Sequence, residues 1–174
     1  TVIKAKKLGK KFGIDNIYLD YVSLFNKNQL DGVLILVSPE EIYPVLNKII
    51  PYRTPFFVEK PPGLNFFEVK KLCKKVKKYK LKNMVGFNRR YYSNFLKGIN
   101  IINQHGKLLG ITIEGHERYW KIEKLISKKN KDNLLYSNSS HVIDLFRFFA
   151  GEIKSIKSFS TKRFNKKPDQ FASA

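Results

Sequence analysis

Phe56-Phe57-Val58-Glu59-Lys60-Pro61-Pro62-Gly63 is the stretch on which the reading of this chain turns. An apolar run ends there on an acid, a base, two prolines and a glycine. Phe56 to Val58 have the character of a buried strand. Pro61 and Pro62 lack backbone donors and fix their own φ, so no regular element continues through them. Glu59 and Lys60 are therefore expected at a strand's carboxyl end, the edge where open α/β sheets place their ligands.

Upstream, Asp31-Gly32 precedes Val33-Leu34-Ile35-Leu36-Val37, an apolar run without alternation. Such a run predicts a strand buried on both faces, as in a parallel sheet covered by helices. Ser38, Pro39 and Glu41 then supply a cap, a proline for the first helical position and the acid of a capping box. Ile42, Val45, Leu46 and Ile49 form one apolar stripe, and Pro51 and Pro55 bracket a turn. Downstream, Asn65 and Glu68 make a second capping box. The helix after it carries Val69, Leu72, Cys73, Val76 and Tyr79 on its apolar side, and Lys70, Lys71, Lys74, Lys75, Lys77, Lys78 and Lys80 elsewhere. Met84 to Phe87 is the next expected strand, ending at Asn88-Arg89-Arg90. This βαβαβ order predicts right-handed crossovers and a doubly wound sheet. Ser38, Lys60 and Asn88 then share one edge, at the carboxyl ends of parallel strands, as the lining of a ligand crevice would.

The flanking segments are less strongly marked. Residues 1–13 read as the tail of a helix ending at Gly9 or Gly13, and Asn16 to Leu19 as a short strand. Asp20 caps a helix holding Tyr21, Val22, Leu24 and Phe25. After Arg90 the pattern changes. Tyr91 to Gln104 reads as a helix. Leu109, Ile111, Ile113 and Gly115 alternate as a half-buried antiparallel strand would. Lys121 to Asn133 is a polar loop or weak helix. Asn138-Ser139-Ser140-His141 leads into a helix that stops at Gly151, and Ile153, Ile156 and Phe159 belong to a final strand. The expected class is α/β: the second half of a Rossmann doubly wound parallel sheet, then part of an α/β domain with a mostly antiparallel open sheet. The boundary falls near Asn88, giving segments 1–88 and 89–174.

Composition limits the functional classes. An apolar fraction of 43% is ordinary for a folded protein, and no apolar run approaches the roughly 20 residues of a membrane span. The amino end has no apolar signal core. Cys73 is the only cysteine, which excludes an intrachain disulfide and fits a reducing, cytoplasmic compartment; it is expected as a small buried hydrophobe. Met84 is the only methionine, and the chain opens inside a helical stretch, so an internal piece of a longer protein is expected. The net charge of +20 raises nucleic acid as a partner. The lysines nevertheless decorate the solvent faces of amphipathic helices and follow a general Lys, Asn, Ile, Tyr and Phe bias. No specific nucleic acid and no membrane partner is expected. His105 and His116 have no ligand-spaced acid or cysteine, so no metal site is expected.

Val37-Ser38-Pro39, Glu59-Lys60-Pro61, Gly86-Phe87-Asn88-Arg89-Arg90 and His141-x-x-Asp144, in this order, resemble the Gfo/Idh/MocA oxidoreductases. The resemblance runs from about residue 10 to 160. It implies a Rossmann nucleotide domain, a substrate domain with an open sheet that also suits homo-oligomerisation, NAD or NADP, and hydride transfer at a sugar, polyol or sugar-nucleotide carbon. It implies cofactor contacts from Ser38, Pro39, Glu59, Lys60, Pro61 and Asn88. Substrate contacts fall to Lys60, Arg89, Ser137 and His141, and Lys60 and His141 are the implied catalytic pair. No Gly-x-Gly-x-x-Gly occurs in the chain. In the family that phosphate-cradling loop lies further upstream, so the fragment by itself is expected to bind dinucleotide poorly and to be inactive. Ser137 stands where the family often has an aspartate.

The residue types suit that chemistry. A lysine is mostly cationic at neutral pH and serves to orient and polarise a hydroxyl oxygen. A histidine titrates near neutrality and is the better proton carrier. Arg89, Arg90, Tyr91 and Tyr92 suit an anion clamp or a stacked surface, with Arg89 the functional candidate. Asp144 is expected to be structural, bonding backbone or Arg147. Two rival readings remain: a non-catalytic or regulatory member of the same fold, which Ser137 motivates, and a basic nucleic-acid-binding protein.

Overall fold

The computed structural model describes residues 2–115, 136, 139–161 and 169–173. In chain order its helices are α1 (Val2–Phe12), α2 (Tyr21–Lys27), α3 (Pro39–Ile49), α4 (Phe66–Lys78), α5 (Ser93–His105) and α6 (Ser140–Ala150). Its strands are β1 (Val33–Ile35), β2 (Phe56–Val58), β3 (Asn83–Val85), β4 (Lys157–Thr161) and β5 (Asp169–Ser173). Short 3-10 turns span Ile50–Tyr52 and Asn88–Tyr91. The first three strands form a parallel sheet in the order β1-β2-β3, so the chain is α/β and Rossmann-like. β4 and β5 pair antiparallel in a separate two-stranded sheet.

The core lies where the helix stripes meet one face of the parallel sheet. Ile42, Leu46, Ile49 and Ile50 are buried with Ile35, Phe56, Val58, Leu72 and Leu81. Val33, Phe56 and Asn83 align across the strands, as do Ile35, Val58 and Val85 two residues on. The intervening row, Leu34-Phe57-Met84, points to the opposite face. There Leu34 is 71% exposed, against the expectation of a run buried on both sides. The doubly wound arrangement is thus half present among the described residues, because α3 and α4 pack together in the one core. β1 is correspondingly shorter than expected, and Leu36, just past it, is exposed. The open face carries a shallow apolar groove of about 390 Å³ near the amino ends of the strands, lined by Gly32, Leu34, Phe57, Lys82 and Met84 among others.

Several local expectations hold in detail. The Asp20 carboxylate accepts from the Ser23 N–H at 2.8 Å and caps α2. Asn65 Oδ1 accepts from the Glu68 N–H at 3.0 Å, and Glu68 Oε2 accepts from the Leu64 N–H at 2.8 Å. The reciprocal bond therefore reaches one residue before the cap. Asn65→Ala is expected to cost about 1 kcal/mol in urea unfolding, the usual loss for such a cap. Ser38 does precede α3, yet its side chain makes no capping bond, so no capping box forms there. α1 ends at Gly13, whose φ of +66° suits glycine; Gly9 is instead buried inside the helix.

Other expectations fail for want of partners. Asn16 to Leu19 and residues 106–115 form no strand, and Leu109 is fully exposed. Strand pairing needs a neighbour to accept the backbone hydrogen bonds, and none among the described residues aligns with either segment. Ile153 and Ile156 precede β4 rather than belong to it. Cys73 is exposed. The buried stripe of α4 centres on Leu72, with Val76 and Tyr79 half-buried, and Cys73 lies about 100° further round the helix. The Lys121–Asn133 segment lies outside the described residues.

Candidate functional site

The parallel strands deliver their loops to one edge. The Glu59 N–H donates to the Ile35 carbonyl at 3.1 Å and the Gly86 N–H to the Val58 carbonyl at 2.8 Å, extending the ladder just past the strand ends. Beyond that ladder the chain breaks at Ser38, at the cis Lys60–Pro61 peptide and at the Asn88–Tyr91 turn. Ser38 and Asn88 are exposed, Pro39 and Lys60 are half-buried and Pro61 is buried. Glu59 is exposed, and its carboxylate accepts from the Lys60 N–H at 3.2 Å. Gly63 closes the loop against α4: a Cβ there would stand 2.9 Å from the Glu68 Cβ.

α6 docks on this edge through an ion pair that the sequence reading did not anticipate. Arg90 Nε and Arg90 Nη2 donate to Asp144 Oδ2 and Asp144 Oδ1, each at 2.6 Å. Asp144 was expected to bond backbone or Arg147; Arg147 pairs instead with Glu152. The Asp144 side chain is only 7% exposed, and a carboxylate so buried needs a bidentate partner to offset its desolvation. The guanidinium also lies over the Phe148 ring, 5.7 Å from its centroid. A clue was present in the sequence, since an aspartate inside the apolar run 142–149 calls for a cation. The identity of that cation, more than fifty residues away, was not readable.

The pair brings His141 into the site. His141 is buried, and its ring meets Phe87 edge-on with centroids 6.0 Å apart. Nδ1 is sealed from solvent and has no hydrogen-bond partner among the described residues; the same holds for Ser140 Oγ. Burial, and then the positive charges of Lys60 and Arg89, push the imidazole down to about 4, against a smaller opposing pull from Asp144. Lys60, Arg89 and His141 are therefore brought together, whereas Ser137 and His116 lie outside the described residues. His105 is exposed at the end of α5. No cluster of three metal-ligating side chains occurs among the described residues.

The depressed imidazole has a consequence for stability. In the unfolded chain the histidine binds its proton below about pH 6.5, and in the folded chain only below about 4. Between these values the unfolded state holds more protons, so stability is fully present above 6.5 and falls as the pH drops towards 4. Urea unfolding across pH 7.5 to 4 is expected to show this decline. His141→Gln is expected to flatten it, and an unchanged slope would show that the imidazole is not buried neutral.

Residues 2–87 match the pattern of the oxidoreductase family with an NAD-binding Rossmann fold, Gfo/Idh/MocA. The chain belongs to that family. Over 94 residues, 54% of this chain and 28% of the relative, it is 28% identical to the myo-inositol 2-dehydrogenase of Thermotoga maritima. The apo scyllo-inositol dehydrogenase of Lactobacillus casei superposes with a TM-score of 0.76 at 20% identity, covering 94% of this chain and 48% of that one. An Agrobacterium radiobacter oxidoreductase, in complex with NAD+, L-tartaric acid and magnesium, gives 0.73 at 19% identity, covering 94% and 49%. The chain spans about half the length of these solved structures. Within the Gfo/Idh/MocA framework the matched segment is the Rossmann sheet, and its carboxyl edge carries the Ser38, Lys60 and Asn88 loops. Among the described residues no helix is long and apolar enough to cross a membrane.

Proposed function

We propose that this protein is an NAD(P)-dependent oxidoreductase that moves a hydride between a nicotinamide cofactor and a sugar-, polyol- or sugar-nucleotide-like substrate. Residues 1–88 would contribute the cofactor half and residues 89–174 the substrate half. The observation that carries this reading is the convergence of Lys60 with a buried, neutral His141 at the carboxyl edge of a parallel sheet. The inositol dehydrogenases among the relatives support the substrate class.

The site fits the nicotinamide half of a dinucleotide. Ser38 is exposed and its hydroxyl is unused as a cap, so it and Pro39 are available to line the cofactor beside Asn88 and the Glu59-Lys60-Pro61 loop. When bound, the cofactor supplies the hydride acceptor. The chain's own residues handle the proton and the developing charge. The Lys60 ammonium donates to the reacting oxygen and stabilises its growing negative charge. His141 accepts the hydroxyl proton at Nε2, since Nδ1 is closed off; in the reductive direction Nε2 returns it. Phe87 limits how the ring can turn.

A second reading, a non-catalytic member of the same fold, is favoured by Ser137, which cannot offset imidazolium charge as an aspartate would. Steady-state turnover by the full-length protein with NAD and NADP against a panel of polyols and sugars separates the two. Reduction of either cofactor with any member of the panel supports the oxidoreductase. Saturable cofactor binding without turnover supports the alternative.

A further inference from the structure

Arg89 is a cation at the site with nothing described to balance it. The Asn88–Tyr91 turn sends two consecutive arginines to the edge where His141 is held. Arg90 uses both carboxylate oxygens of Asp144, the one acid among the described residues whose charge bears on His141. Arg89 is half-buried, and among the described residues its guanidinium has neither a hydrogen bond nor an ion pair. A planar fork of donors held partly out of water suits bidentate recognition of a carboxylate or phosphate. We infer that the substrate bears an anionic group, a carboxylate or a phosphate, which Arg89 grips beside His141. This rests on the oxidoreductase reading for the word substrate, but not for the binding of the anion.

The same charge arrangement links recognition to chemistry. Lys60 and Arg89 both hold the imidazole down, and at about 4 it is a weak base at neutral pH. Asp144 offers only partial relief, because it is already engaged by Arg90. An anion seated on Arg89 would cancel part of the positive field, raising the histidine towards neutrality where proton transfer is most effective. A neutral polyol would leave that field intact. An acidic substrate would thus both dock on Arg89 and improve the base that serves it.

The test uses full-length protein loaded with NADH and follows binding by calorimetry, with turnover in the oxidative direction measured separately with NAD+ or NADP+ as the hydride acceptor. D-gluconate and D-glucuronate probe a carboxylate, D-glucose 6-phosphate a phosphate, and D-glucose and myo-inositol serve as neutral counterparts. At least one acid is expected to bind ten- to a hundredfold more tightly than its neutral counterpart. Arg89→Gln is expected to remove that advantage, and Arg89→Lys to restore part of it. Which acid responds separates carboxylate from phosphate recognition. If turnover accompanies binding, the loss in Arg89→Gln should fall mainly on KM, and the acidic limb of the kcat profile with the acid should lie above that of neutral compounds. Arg89-dependent binding of an acid without any turnover keeps the inference and overturns the oxidoreductase reading. Equal affinity for acids and neutral compounds, no binding of any acid, or an acid preference untouched by Arg89→Gln overturns the inference.

Discussion

Replacing Lys60 with alanine in the full-length protein is expected to lower kcat by about a thousandfold, within the 10²–10⁴ range of a positioned acid–base or electrostatic group. The side chain follows a loop fixed on every side. The Glu59 N–H is tied to the Ile35 carbonyl, Pro61 is buried, and the turn is closed by Gly63 against Glu68. These backbone contacts hold the loop in place when the side chain is shortened, so circular dichroism and the unfolding midpoint should stay close to wild type. Loss of rate without loss of fold separates a chemical role from a structural one. Unimpaired turnover in Lys60→Ala would remove the lysine from the mechanism and leave it a surface residue.

The largest effect on stability is expected at Arg90. Arg90→Met leaves the Asp144 carboxylate buried without its bidentate partner, a situation that costs about 3–5 kcal/mol. The guanidinium is one-third exposed, so the loss should lie towards the lower end of that range. Pairing it with Asp144→Leu removes the stranded charge and should recover most of the stability, because two apolar side chains can occupy the space beside Phe148. The double-mutant cycle in urea is the measurement. A single-variant loss below about 1 kcal/mol, or a double variant no better than Arg90→Met, would show that the ion pair does not fasten α6 to the sheet edge. The same comparison bears on the site, because α6 carries His141 one turn before Asp144.

Much of this arrangement was legible in the residues themselves. The strand–break pattern at Phe56 to Gly63 placed β2 and its loop correctly because prolines and an abrupt change of polarity are local signals. The stripe Ile42, Val45, Leu46 and Ile49 did the same for α3. Burial on the second sheet face was not legible. The run 33–37 is apolar throughout, and its composition does not reveal which face a helix covers. The alternation at 109–113 was likewise misleading, since a strand exists only where another aligns with it. At the site, Lys60 and Arg89 were singled out by position, but the partner of Asp144 is a tertiary choice. The pressure of two cations on a buried imidazole is equally tertiary, and the expectation of a histidine titrating near neutrality gave way to one held near 4.

The most direct test of the central claim is a fluorescence titration of the full-length protein with NADH and NADPH. The account predicts saturable binding of at least one of them, weakened by substitutions in the Glu59-Lys60-Pro61 loop. A folded full-length protein that binds neither dinucleotide would contradict it.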